Sequence, residues 1–369
     1  MSVYFIILFV ATIFAYFGNR YGREVIDFQD SCSRWMPSKT AEVAIVMLFC
    51  FFYAFRWRVG TDFMGYYYSY QQYGQMTVTE LIGGRDWGFG VLSAILYRIF
   101  NGNYQYYNIV LGIITYYPVM SIYRKHSDSF GFTIFLYIAT LGCFWSYNGV
   151  RQSLAGSICF GAFVFLYEKK YIKYVVCVLI ASLFHTTALI MLPMMLFINM
   201  KPWSRKNILI TLSLLLSIVF LGNLWSYIIG FLDYMGQEKL VNDYGSAVIS
   251  SNGVNILRIL VALIPVVLSF IMHSKGIDED DRALQLFENM TILSAIFMFA
   301  ATKLTVLARF SAYFGFACPL IYAKFKHSQE PNNAILFEVL VCACYILYMV
   351  ILLPVESNLV PYSFSFGAL

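Results

Sequence analysis

Thirteen apolar stretches follow one another along this chain, at roughly 3–17, 41–55, 86–100, 104–123, 129–145, 152–167, 171–184, 186–200, 207–225, 254–272, 284–302, 306–322 and 334–353. A helix needs about 20 apolar residues to cross the hydrocarbon of a bilayer, where no water can satisfy an open backbone. A chain of 369 residues has room for about a dozen such helices and for no soluble domain beside them. Composition agrees: 12% of residues are charged and 60% hydrophobic, against about 25% charged in a soluble domain. The fold expected is all-α, a polytopic integral membrane protein with one transmembrane domain over 1–369. The longest polar stretches, 18–40 and 226–253, are too short to fold alone. Met1 to Phe17 lacks a basic leader and a small-residue cleavage site, and reads as a retained span.

Basic residues orient the spans, because Lys and Arg accumulate in cytoplasmic loops. Arg124-Lys125, Glu168 to Lys173, Lys201 to Lys206, His273 to Arg282 and Lys324 to His327 alternate correctly as inside loops. With 18–40 also inside, only one of 86–100 and 104–123 can cross. The segment 86–100 begins at Asp86 and carries Arg98, so it reads as a juxtamembrane or re-entrant helix on the outer side. The expected topology has twelve spans, both termini outside, and outer loops at 56–103 and 226–253. Pairs such as Lys169-Lys170 are topology signals in this reading, and no nucleic acid is implied. The eight cysteines match no zinc spacing, and seven lie in or beside apolar segments.

The two kinds of basic residue divide unequally. Arg56, Arg58, Arg85, Arg98, Arg151, Arg258 and Arg309 fall outside, seven of thirteen arginines, but only Lys239 and Lys303 of twelve lysines. Arginine presents a fixed, always-charged fork that fits phosphate oxygens. The bias suits an outer cavity that grips a phosphorylated lipid. The competing account pairs these arginines with Glu80, Asp62 and Asp86, or lets them snorkel to headgroups.

Several motifs sit at outer span ends. Arg56-Trp57-Arg58-Val59-Gly60-Thr61-Asp62 is followed by Tyr66-Tyr67-Tyr68. A carboxylate beside two arginines stays ionised and can take a proton from a sugar hydroxyl, while tyrosines can stack on sugar rings. A helix end closed by Gly60 with an interfacial aromatic belt explains the same residues. Asn148-Gly149-Val150-Arg151-Gln152-Ser153 places an arginine in an apolar region, where a charge is expensive and functional or caps a neighbouring helix. His185 in Leu183-Phe184-His185-Thr186 suits a base or proton shuttle, or a helix linker. Arg309 enters a span from outside, and the tail Val360-Pro361-Tyr362-Ser363-Phe364 is polar and aromatic.

The order of these motifs, with Asp86-Trp87-Gly88-Phe89 between the first two, resembles the EpsG family of Wzy-type O-antigen and exopolysaccharide polymerases over nearly the whole chain. Asp86 departs from the pattern, which has Glu followed by Pro. The resemblance implies a GT-C-like fold and a glycosyltransferase in the bacterial inner membrane. It implies transfer of a growing glycan from undecaprenyl diphosphate to a second lipid-linked repeat unit on the periplasmic face. A Wzz-like chain-length regulator, a Wzx-like flippase and membrane lipids are the partners it suggests. Asp62 is the first candidate base and His185 the second. Arg58, Arg151 and Arg309, with Arg56 and Arg85 behind them, are candidates for the diphosphate, so no metal or other cofactor is expected. Tyr66, Tyr67, Asp86, Asn148 and Gln152 are candidates for sugar contacts. The rival readings are a lipid-linked oligosaccharide flippase, an O-antigen ligase and an O-acetyltransferase.

Overall fold

The computed structural model describes residues 1–27, 32–235, 254–277, 281–355 and 358–366. It is helical, as the apolar pattern predicts, apart from a hairpin of β1 (Arg23–Asp27) and β2 (Cys32–Met36) in the polar stretch after the first helix. Among the described residues five helices are long and apolar enough to cross a membrane: Ser2–Arg20, Val150–Tyr167, Ile256–Ser274, Arg282–Ala300 and Pro331–Leu352. Thr305–Gly315 and Cys318–His327 form a pair bent by 47° that together passes the same test.

Other apolar stretches are shorter or broken. The segment expected at 86–100 forms a helix over Trp87–Ile99 of 13 residues. At 1.5 Å per residue that is about 20 Å, less than the roughly 30 Å of hydrocarbon. The stretch 129–145 stops at Ala139, where Leu141 adopts a left-handed φ of 64°, and resumes as a 3-10 turn over Gly142–Tyr147. The stretch 186–200 is a 3-10 turn, Thr186–Met191, then a short helix entered through Pro193. Of the outer loop expected at 226–253, residues 236–253, including Lys239, lie outside the described residues, as do residues 278–280.

The chain forms two compact units, Met1–Leu192 with Lys326–Leu369, and Pro193–Phe325. In the first, α1 (Ser2–Arg20) packs on α2 (Lys39–Phe55). Then follow α3 (Phe63–Gln75), α4 (Val78–Leu81), α5 (Trp87–Ile99) and α6 (Tyr104–His126). After α7 (Phe130–Ala139) come α8 (Val150–Gly161), α9 (Phe163–Tyr167) and α10 (Tyr171–Phe184). The central layer is α2 against α6 and α6 against α8, with α10 on α8 and α3 on α5. Side chains cap two of these helices: Ser38 accepts from the Thr40 N–H at 3.2 Å and Asn103 from the Tyr106 N–H at 3.0 Å, satisfying open donors of the first turn. At the Lys39 end of α2, Glu42 is fully buried and pairs with Arg124 of α6 and, at 3.1 Å, with Lys39. At the other end α2 and α10 stop while α6 and α8 begin, and the candidate site lies there.

The second unit contains α11 (Met194–Phe197), α12 (Arg205–Tyr234), α13 (Ile256–Ser274), α14 (Arg282–Ala300), α15 (Ala308–Gly315) and most of α16 (Cys318–His327). Its centre is α14, buried over most of its surface although it carries Gln285, Glu288, Asn289, Thr291 and Ser294. Internal bonds satisfy part of this polarity. Asn207 donates to Asn289 at 2.7 Å, Asn289 donates to the Met200 carbonyl at 2.8 Å, and the hydroxyls of Ser294 and Ser311 meet at 3.0 Å. The last helix, α17 (Pro331–Leu352), returns to the first unit and packs on α7.

Candidate active site

Among the described residues of the first unit, a histidine and an arginine gather around the carboxylate of Asp86. This residue stands at the N-cap position of α5, with a left-handed φ of 54° and no side-chain bond to the helix. Two residues on, a Cβ added to Gly88 would come within 2.6 Å of the Leu183 Cβ and 2.9 Å of its carbonyl oxygen. Only glycine lets the start of α5 approach the end of α10 this closely, and the approach brings Asp86 to the residues that follow α10. One carboxylate oxygen accepts from the Thr186 N–H at 3.1 Å and its hydroxyl at 3.2 Å. The other lies 3.2 Å from Nδ1 of His185 and 3.7 Å from Nη1 of Arg151. Side-chain exposure grades outward from 3% at Asp86 through 12% at His185 to 24% at Arg151. Burial pushes the Asp86 carboxyl up, but the hydrogen bonds from His185 and Thr186 outweigh it and hold the group below its ordinary value.

Arg151 stands in the first turn of α8. Its Nη2 donates to the Tyr73 hydroxyl at 3.0 Å, and its guanidinium lies 5.0 Å from the Phe89 ring centroid and 5.8 Å from that of Tyr66. Its Nε is buried without a hydrogen-bond partner. Burial pushes the Tyr66 phenol up to about 12 against the opposing pull of Arg151. This arginine thus has two nitrogens engaged and one donor open beside a histidine.

Arg56 is arranged otherwise. It is 1% exposed, pairs with no carboxylate among the described residues, and donates to the Tyr53 carbonyl. Rings surround it, with centroids at 3.9 Å for Tyr53, 4.8 Å for Tyr147 and 5.5 Å for Phe63. The C-terminal segment crosses this end of the unit as a strap. The Tyr4 hydroxyl bonds the Leu359 carbonyl, the Tyr362 hydroxyl bonds the Phe52 carbonyl, and Arg56 pairs with Phe364 as a β-bridge.

Between these two arginines runs the Arg-x-Val-Gly-Thr-Asp loop. Gly60 has φ 99°, and a Cβ there would lie 2.8 Å from both the Asn148 side-chain oxygen and the Tyr147 carbonyl. That contact lets the same Asn148 oxygen accept from the Thr61 hydroxyl at 3.0 Å and the Asp62 N–H at 3.4 Å. Asp62 stands at the N-cap position of α3 without a side-chain capping bond, is exposed, and pairs with no arginine among the described residues.

A protein-family model matches residues 40–364, and it is the model of the EpsG family. The chain belongs to the EpsG family. This is the family of exopolysaccharide and Wzy-type polymerases, so the chain is a multi-pass membrane protein with a glycosyltransferase-like, polymerase-type role. The family implies lipid-linked polysaccharide substrates in the membrane. No curated protein and no solved structure gives a match to the chain.

The matched span includes every residue of the Asp86 cluster and the strap through Phe364. Among the EpsG-family candidates named from sequence, the structure joins Asp86, Arg151, His185 and Tyr66 in one place. Asn148 and Asp62 adjoin it through the loop, and Gln152 is buried next to Arg151 in α8. Arg85 is exposed beside Asp86, Tyr67 turns toward Trp57, and Arg309 is exposed in α15 of the second unit. Sequence reasoning did not single out Tyr73 and Thr186. Thr186 follows His185 directly, and its role became visible only once Asp86 was known to lie opposite.

Proposed function

We propose that this EpsG-family protein is a metal-independent polysaccharide polymerase. It joins undecaprenyl-diphosphate-linked repeat units on the periplasmic face of the bacterial inner membrane, through twelve spans with both termini outside. The observation that carries this reading is the contact of one buried carboxylate with both a histidine and an arginine. An ionised Asp86 is an acceptor only, so Nδ1 of His185 holds its proton toward it and Nε2 is left as a base. The acceptor hydroxyl loses its proton to Nε2 as its oxygen bonds to the anomeric carbon of the donor. The bond from that carbon to the diphosphate breaks, and the guanidinium of Arg151 stabilises the charge left on the diphosphate. A single displacement of this kind inverts the anomeric carbon. Asp62 stands at the rim of the site as the alternative base. Arg85 is a second diphosphate contact. Tyr66, Asn148 and Gln152 contact the sugar. A Wzx-like flippase supplies the substrate and a Wzz-like regulator sets chain length.

The test is reconstitution of the full chain with a defined undecaprenyl-diphosphate-linked repeat unit. A ladder of products that persists in EDTA is expected. The absence of a ladder, or one that requires added magnesium or manganese, overturns the reading. One observation favours a flippase instead: the buried polar seam of α14, since transporters place such residues within spans. Loss of a polymerase leaves single repeat units at the cell surface, whereas loss of a flippase leaves none.

A further inference from the structure

Arg58 is an arginine of the matched region that neither the cluster nor the ring cage explains. It is exposed and adopts a left-handed φ of 52°, a conformation that is costly for a residue with a long side chain. The backbone is clamped on both sides of it. The Trp57 N–H donates to the Ser363 carbonyl at 2.9 Å, the Ser363 hydroxyl donates to the Trp57 carbonyl, and the Gly60 N–H donates to the Asn358 carbonyl at 2.9 Å. The strap therefore holds Arg58 in a strained shape at the surface, where packing asks nothing of it. Its guanidinium lies 5.6 Å from the Trp57 ring centroid.

The neighbouring rings continue this surface. Trp57 stands edge-on to Tyr67 at 6.1 Å, and Tyr67 to Tyr68 at 5.7 Å, with Tyr68 63% exposed. Successive residues of a helix point about 100° apart, and α3 uses this. Tyr66 faces Arg151 and Phe89, while Tyr67 faces Trp57 and Tyr104. The start of α3 thus separates the reacting cluster from a second face of aromatic rings with one fixed positive charge. Arg58 pairs with no carboxylate among the described residues.

We propose that Trp57, Arg58, Tyr67 and Tyr68 form a glycan subsite whose ligand is a sugar bearing a carboxylate. The rings hold the sugar faces and the Arg58 fork takes the carboxylate. The subsite rests on the polymerase reading and specifies its substrate as an acidic polysaccharide. Arg58 takes its anion from the glycan and Arg151 takes the diphosphate of the carrier.

The test uses the full chain in detergent and three probes: a tetrasaccharide containing glucuronic acid, its carboxyl-reduced counterpart, and inorganic pyrophosphate. By calorimetry the acidic tetrasaccharide binds about tenfold or more tightly than the reduced one. Arg58→Ala removes that preference, and Tyr68→Ala, at an exposed position, weakens binding of both sugars. Pyrophosphate does not displace the acidic tetrasaccharide. Equal binding of the two sugars to the wild type overturns the subsite, and so does a preference that survives in Arg58→Ala. Displacement by pyrophosphate that depends on Arg58 assigns the anion to the carrier and also overturns it. A ladder from a neutral repeat unit with no acidic preference sinks this inference alone. An acidic preference without any ladder sinks the polymerase reading alone.

Discussion

Glu42 and Asp86 are both buried carboxylates facing arginines, toward opposite ends of the same helical unit, and they are built for different purposes. Glu42 is fully enclosed and neutralised by Arg124 and Lys39 across the contact of α2 with α6. Arg124 also donates to the Pro37 carbonyl at 3.3 Å and Lys39 to the Tyr117 hydroxyl at 2.7 Å, so both cations are taken up by groups around the α2–α6 contact. Asp86 has instead two donors from Thr186, a histidine at 3.2 Å and an arginine only at 3.7 Å. Its arginine keeps a buried Nε without a hydrogen-bond partner. A buried charge is thus a latch where its partners are spent on it, and a site where it orients groups that retain free capacity.

The sharpest way to break this comparison is to remove the histidine. General-base catalysis contributes about 10²–10⁴ in rate, so His185→Ala is expected to lower polymer formation by that order in a ladder assay normalised to membrane protein. Polymer of wild-type length from this variant would reduce Asp86 to a second latch. Glu42→Gln should do the reverse. Breaking a buried pair leaves its partner uncompensated at about 3–5 kcal/mol. Abundance and unfolding temperature should therefore fall, while rate per folded molecule is kept. A loss of turnover without a loss of stability would show that the far end takes part in chemistry.

Arg151→Lys comes next. A point charge cannot reproduce the planar fork, so a loss of about 10- to 100-fold in polymerisation is expected at normal protein levels. Full activity would leave Arg151 a packing residue. A smaller effect follows from pH. The native Asp86 carboxyl lies below its ordinary value of 3.8, so the unfolded state takes up the proton first. Its contribution is present above that value and fades as pH falls through the lower native one. Thermal unfolding in detergent below that pH should lose this increment in the wild type and show none to lose in Asp86→Asn. Identical profiles would mean the hydrogen bonds to Asp86 are not made in solution. The smallest effect is expected from Asp62→Asn, an exposed position, at about threefold or less. A collapse of the ladder there would return Asp62 to the role of base and sharpen the comparison against His185.

Much of the site was legible as residue types in order. Arg151 stood out as a charge in an apolar region, where it is expensive, while His185 also read as a helix linker and Asp86 as a departure from the family pattern. Their partnership was not legible, because Asp86 and His185 lie 99 residues apart and meet through Gly88 against Leu183. Sequence proximity favoured Asp62, four residues from Arg58, yet the loop turns its backbone to Asn148 and leaves the carboxylate outside any ion pair among the described residues. Arg56 and Arg58 read as equivalent, and burial separates them into a caged guanidinium and an exposed one.

What the sequence alone determined is the class: apolar runs of spanning length force an all-helical membrane protein, and the ordered motifs place it in its family. Those properties follow from composition and local periodicity, which a linear chain carries at every position. Which carboxylate meets which base was decided only by tertiary structure. So were the interruption of the stretches 129–145 and 186–200 and the strap of residues 358–366 across the Arg56 end. Each depends on two distant segments approaching to within a hydrogen bond. That distance is set by packing at single positions such as Gly60 and Gly88, where one added carbon would keep the segments apart.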